Sequence, residues 1–197
     1  MSLQDGEKVY LGETKSDKKR DKWITRKESL AMKKIDVKEL QKNPFQMIGD
    51  EWMLITAKAE DKVNTMTASW GGVGIMWGKT VATVYIRPQR YTKEFVDNSE
   101  YFTLSFFGGE EKKAMGYLGK VSGREVPDKI EQAGLHLTEV NGYPAFEEAT
   151  LVFVCKKLYA QEMKEECFLG TEEIERWYPA KDYHTMYMAE IVEAYQK

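Results

Sequence analysis

Cysteine and histidine are scarce in this chain, two of each among 197 residues. Cys155 and Cys167 form no CxxC pair and match no zinc spacing, so no metal site is expected. Two isolated thiols read as reduced, mostly structural cysteines of a cytoplasmic protein. An excess of positive charge is also missing. Lys and Arg total 29 against 32 Asp and Glu, a formal net charge of −3, which leaves no whole-protein basic field for nucleic acid. No apolar run approaches the ~20 residues of a bilayer-spanning helix, so no membrane span is expected. The opening stretch, MSLQDGEKVYLGETKSDKKRDK, lacks the apolar core of a secretory signal.

What is present suits a globular domain. Hydrophobic residues make up 42% and aromatics 12%, and a chain of this size buries roughly 70% of its unfolded surface. Composition shifts near residue 31. Residues 1–31 are polar and carry the charged run Asp17-Lys18-Lys19-Arg20-Asp21-Lys22. They read as a polar N-terminal extension, a solvated tail in preference to an arm that packs Trp23 and Ile24 on a partner subunit. The folded domain is expected over 32–197.

Within it, Asp36-Val37-Lys38-Glu39 has the N-cap and N3 acid of a capping box. This predicts a short helix through Leu40, ended by Asn43-Pro44. Residues 52–57 read as a strand, closed by Glu60-Asp61-Lys62. From Val63 to Ser69 the pattern alternates, with Val63, Thr65, Thr67 and Ser69 on one face and Asn64, Met66 and Ala68 on the other. Gly71, Gly72, Gly74 and Gly78 read as an open loop. Residues 80–86 are apolar on both faces and predict a central strand. Further strands are expected over 101–107, 151–159 and 185–194. Short helices are expected from Thr92, over 110–118, and over 128–133 before Gly134. Asn141-Gly142 is the strongest hairpin turn. Helices do not alternate regularly with strands, so a doubly wound parallel sheet is not indicated. The pattern predicts a mainly β protein with short helices, a β-barrel with helices inserted.

Two segments carry chemistry. Residues 64–72, NTMTASWGG, offer hydroxyls and backbone N–H groups in a row. Their glycines admit a planar ligand close to the backbone, and Trp70 could cover an aromatic ring. Taken alone, this segment reads as an ordinary half-exposed edge strand. Residues 87–93, RPQRYTK, place two arginines and a threonine at a helix start. Guanidinium groups clamp phosphates bidentately and a helix N-terminus attracts anions, so an anion site is favoured over a solvated turn. No GxxxxGK[ST] and no GxGxxG is present, so neither a P-loop nor a Rossmann site is indicated. Glu147-Glu148 and Glu165-Glu166 do not form a glycosidase pair, and no GxSxG elbow occurs. His184, before the last strand, reads on its own as structural or surface.

Four blocks in order, 64–72, 87–92, 120–135 with 141–155, and 182–194, give the chain a resemblance to the flavin reductase-like, FMN-binding split-barrel family, within it to flavoredoxin-type proteins. The likeness runs from about residue 45 to the end. It implies an FMN-binding split β-barrel over 32–197, working as a homodimer with FMN near the subunit interface. It places Asn64, Met66, Thr67, Ala68, Ser69 and Trp70 along the isoalloxazine and ribityl chain. It places Arg87, Arg90, Tyr91 and Thr92 at the phosphate, in agreement with the anion reading. His184 becomes the catalytic candidate facing the nicotinamide or flavin edge, and Ser122-Gly123-Arg124 falls near the site mouth. The function implied is an FMN-dependent oxidoreductase that takes electrons from NADH, NADPH or a redox partner protein. A non-enzymatic FMN-binding or electron-carrier protein is the alternative.

Overall fold

The computed structural model of the chain describes residues 32–197; the expectations for residues 1–31 lie outside the described residues. The strands are β1 (Lys33–Ile35), β2 (Met53–Ala59), β3 (Lys62–Ala68), β4 (Gly71–Met76), β5 (Lys79–Ile86), β6 (Tyr101–Phe106), β7 (Leu137–Val140), β8 (Tyr143–Phe146), β9 (Leu151–Glu162) and β10 (Thr185–Gln196). The helices are α1 (Tyr91–Asp97), α2 (Lys112–Lys120), α3 (Lys129–Gln132) and α4 (Glu172–Trp177). Eight strands form one antiparallel sheet in the order β3-β2-β6-β9-β10-β5-β4, with β1 beside β10. β7 and β8 form a separate hairpin. Among the described residues, β3 and β4 are not hydrogen-bonded to each other. The sheet is a barrel left open at one seam, which is the split-barrel architecture the sequence led us to expect, and the chain crosses from β3 to β4 through Ser69 and Trp70.

Two buried clusters pack on the sheet, and the period-2 alternation of the strands decides which core each residue joins. Ile55, Phe153 and Cys155 pack into one cluster with Met66, Val84, Leu104 and Tyr187. Their neighbours Leu54, Val152 and Val154 point the other way. They pack against Met115 and Leu118 of α2, Ile130 of α3 and Phe146 of β8. A buried side chain such as Phe153, with no exposed surface, contributes roughly 1.5–3 kcal/mol by leaving water. Cys155 is buried and Cys167 exposed, and both are free thiols.

Several expectations are refined. Asn141-Gly142 makes the β7–β8 turn with both residues at positive φ, +49° and +81°, the mirror-image turn that matches strand twist. The capping box yields only a single 3-10 turn over Val37–Glu39. The Asp36 carboxylate does accept from the Lys38 N–H at 2.9 Å, but Leu40 already lies in extended backbone. Asn43-Pro44 opens a helical turn instead of closing one, because the Asn43 side chain accepts from the Phe45 N–H at 3.0 Å and proline suits the first position. The glycines after Trp70 form β4, paired with β5 from Gly71 opposite Val84 to Met76 opposite Lys79. At Gly71 a Cβ would stand 2.7 Å from the Thr83 carbonyl oxygen; glycine lets the two backbones approach. β5 lies one strand in from that edge, between β10 and β4, where it is covered on both sides but is not central.

Candidate functional site

The seam between β3 and β4 is where the chain gathers its polar chemistry. Two adjoining cavities lie there. The upper one, about 200 Å³, is lined by Thr67, Ala68, Ser69, Trp70, Trp177 and His184 among others. The lower one, about 560 Å³, is lined by Asn64, Tyr91, Thr92, Ser122, Gly123 and Lys129 among others. Met66, Arg87 and Arg90 border both. The lower volume alone falls within the roughly 300–1,000 Å³ of small-molecule sites. All eleven residues singled out from the sequence therefore line one cavity or the other.

Alternation along β3 sets which groups face the ligand space. Thr65 is turned inward, within 2.8 Å of the Thr56 hydroxyl and donating to the Ile55 carbonyl at 3.1 Å. The Thr67 hydroxyl donates to the Met115 carbonyl of α2 at 2.5 Å. Those hydroxyls fasten β3 to its neighbours and are not an open row. The opposite face, Asn64 and Met66, meets the lower cavity. Beyond β3, the bend at Ser69 and Trp70 presents backbone and indole to the upper one.

The arginine turn joins this strand through a buried bond, Asn64 Nδ2 donating to Thr92 Oγ1 at 2.9 Å. Arg90, the residue before α1, donates to the Gly119 carbonyl at 2.5 Å and keeps further N–H groups for the cavities. Burial, and the nearby Arg87, lower its pKa. Arg87 is committed elsewhere. It pairs with the Asp182 carboxylate and donates to the Trp177 carbonyl at 2.8 Å. Gln89 also donates to Asp182 at 2.7 Å, and these bonds hold that carboxyl below its usual pKa. Arg87 thereby clamps the segment that carries Trp177 and His184.

Electrostatically the site is one-sided. Arg87, Arg90, Lys120 and Lys129 border the lower cavity, and among the described residues no Asp or Glu lines either cavity. The Lys129 ammonium is buried and donates to the carbonyls of Thr65 at 2.7 Å and Val121 at 3.0 Å. Burial, with Arg90 nearby, lowers its pKa to about 8. Such clustering of cations costs folding free energy and is relieved by an anion.

The upper cavity is aromatic. The Trp70 and Trp177 rings meet edge-on with centroids 5.0 Å apart, and the His184 ring is 5.2 Å from Trp70. His184 is buried, and desolvation together with Arg87 lowers its pKa to about 4. It is a neutral imidazole at physiological pH.

Residues 47–197 match the model of the flavin reductase like domain. The chain belongs to that family. A protein of Aeropyrum pernix, described as uncharacterized, is 30% identical over 121 residues, which is 60% of this chain and 44% of that protein; the chain thus spans under half of that relative's length. Among solved structures, an FMN-binding domain of a flavin reductases-like enzyme from Shewanella baltica superposes with a TM-score of 0.62 at 16% identity, covering 84% of this chain and 77% of that one. Flavoredoxin of Desulfovibrio vulgaris gives 0.58 at 18% identity, covering 84% and 77%. An FMN-binding protein from Thermus thermophilus, solved with bound p-hydroxybenzaldehyde, gives 0.56 at 21% identity, covering 84% and 82%. At these identities the likeness is one of fold.

For a flavin reductase-like domain, several cavity residues escaped the sequence reading. Lys129 was legible only as the start of a helix; nothing in Asp128-Lys129-Ile130 marks an amine that reaches carbonyls of β3 and of the segment after α2. Trp177 sits on α4, which no periodicity announced. Ser122 and Gly123 do line the lower cavity. Arg124 beside them pairs with Glu94 and lies 4.8 Å over the Tyr91 ring.

Proposed function

We propose that this chain is an FMN-dependent oxidoreductase that moves electrons from a nicotinamide or a protein donor through FMN bound at the seam. The observation that supports it most is the pairing of an aromatic upper cavity with a lower cavity lined by Arg87, Arg90, Lys120 and Lys129, across Met66 and Arg90. A planar ring joined to a phosphate by a short polar chain fits that polarity. Arg90, Thr92 and Lys129 would hold the phosphate, with Asn64 held in place by Thr92. Backbone groups of 67–70 and the Trp70 indole would hold the ring. FMN, when bound, supplies the redox chemistry; the protein supplies placement and field.

This chain's own part is then electrostatic. The positive field of Arg90, at the border of the cavities, would favour an anionic reduced ring over a neutral oxidised one, while the charge of Arg87 is largely offset by Asp182. His184, uncharged, offers a hydrogen bond without competing for protons. Trp70 and Trp177 keep water from one side of the site.

The protein is further read as a cytoplasmic homodimer with the cofactor near the subunit interface. Among the described residues β4 is an edge strand, and its far end exposes Ile75, Met76 and Trp77, four to six residues beyond Gly71. An unpaired apolar edge of this kind is suited to a second subunit. Light scattering is expected to give twice the chain mass, and Trp77→Lys to give the monomer.

The deciding experiment is a titration of the purified protein with FMN and riboflavin, followed by anaerobic NADH. FMN is expected to bind more tightly than riboflavin, and the bound flavin absorbance to bleach. Equal affinity for the two flavins would remove the phosphate assignment. Bound flavin that stays oxidised with both NADH and NADPH would leave the carrier reading in its place.

A further inference from the structure

Tyr178 and His184 are six positions apart, and both are buried, 5% and 7% exposed. The phenol oxygen lies 2.8 Å from Nδ1 of the imidazole, and the rings meet near perpendicular with centroids 5.6 Å apart. Arg87 holds the intervening segment at both ends. It pairs with Asp182, donates to the Trp177 carbonyl at 2.8 Å, and lies 5.3 Å over the Tyr178 ring. The contact between phenol and imidazole is therefore a built one.

Two proton arrangements satisfy the distance. In the first, the Tyr178 hydroxyl donates to Nδ1, and the imidazole proton sits on Nε2. In the second, Nδ1–H donates to the phenol oxygen, and the hydroxyl must find another acceptor. The neighbour available is the Met163 sulfur at 3.8 Å, a weak acceptor. The first arrangement uses the strong acceptor for the strong donor and leaves no buried group short. Burial raises the Tyr178 pKa, so the phenol keeps its proton. Burial keeps the imidazole uncharged; Arg87 adds to it, Asp182 acts against it, and Arg90 contributes least, again toward the neutral form.

We propose that Tyr178 is a positioning residue that locks His184 in the Nε2–H tautomer, so that the imidazole meets its ligand in the upper cavity as a hydrogen-bond donor to a carbonyl oxygen. The ligand in that statement rests on the reading of the cavity as a flavin and nicotinamide site; the tautomer is a property of the chain alone. Nδ1 is occupied by Tyr178, and Nε2 lies on the far side of the ring, in a residue that lines the cavity. A fixed tautomer spares the ligand the cost of reorienting the proton. It also makes His184 a polarising donor and not an acid, because a neutral imidazole gives up its proton reluctantly.

The test is long-range proton–nitrogen NMR on the full-length 15N-labelled protein, with and without FMN. Only two histidines occur in the chain, so His136→Gln assigns the His184 signals. The wild-type imidazole is expected to carry its proton on Nε2 from pH 5.5 to 8. A proton on Nδ1 overturns the proposal. Tyr178→Phe is expected to populate both tautomers and to slow flavin reduction by NADH about tenfold, with FMN affinity within twofold of wild type. Retention of a pure Nε2–H state in that variant overturns the role given to Tyr178. Met163→Leu, which removes the rival acceptor, is expected to leave the tautomer unchanged, and a shift there overturns the proposal even if Tyr178→Phe fails to fold. Failure of the wild type to bind FMN would end the cofactor reading and leave the tautomer result intact.

Discussion

Asn64 and Thr92, 28 positions apart, are joined by a buried side-chain hydrogen bond of 2.9 Å. That bond brings the site strand β3 and the arginine turn to one place. Gly123 lies directly over it: a Cβ there would stand 2.2 Å from the Asn64 amide oxygen. Gly123→Ala is therefore expected to displace Asn64, break the bond and weaken FMN binding about tenfold or more, at a cost in stability of about 1–3 kcal/mol. Isothermal titration with FMN and urea unfolding measure the two effects.

Arg90 borders both cavities and spends one N–H on the Gly119 carbonyl. In Arg90→Ala, FMN affinity should fall roughly 10- to 100-fold, the worth of a charged hydrogen bond. Riboflavin affinity should stay within about twofold, because only the phosphate contact is lost. Equal losses for both flavins would place Arg90 at the ring.

How much of this was legible beforehand differs by residue. The alternation of β3, the turn at Asn141-Gly142 and the arginine–helix junction are local patterns, and each survives in the fold. What β3 does with its two faces is not local. Thr65 and Thr67 looked like a hydroxyl row for a ligand, yet β2 and α2 take up those hydroxyls; Asn64 and Met66 open on the lower cavity, and Thr67 borders the upper one with its hydroxyl already spent. Gly71 to Met76 read as a loop because four glycines punctuate the stretch from 71 to 78; pairing with β5, set by residues further along the chain, makes it a strand. The amine of Lys129 has no sequence signature at all, since its acceptors lie 64 and 8 positions away.

The Lys129 amine donates to the carbonyls of Thr65 at 2.7 Å, Val121 at 3.0 Å and Leu118 at 3.5 Å. Lys129→Met keeps the stem and removes the amine. Its urea midpoint should correspond to a loss of about 1–3 kcal/mol. Lys129→Arg, too bulky for the same seat among backbone carbonyls, is expected to recover less than half of it.

His184 makes stability depend on pH in a defined window. Its folded-state pKa is lowered to about 4 from an unfolded value near 6.5. As pH falls from about 6.5 to 4, the unfolded chain binds a proton that the folded chain refuses, so stability declines across that interval and levels off below it. The effect is up to about 3 kcal/mol. Urea unfolding of wild type and His184→Gln across pH 4–7 isolates it, because the carboxylates titrate alike in both. Parallel pH curves would mean that His184 takes its proton as readily folded as unfolded.

The burial of Cys155 within β9, between β6 and β10, gives the molecule an internal clock. Desolvation pushes that thiol's pKa far above its ordinary value, so no thiolate is offered to an alkylating reagent while the sheet is intact. Cys167, on the surface, reacts at once. In one mass-spectrometric time course the first adduct counts molecules, and the second records how often the central strands part from one another.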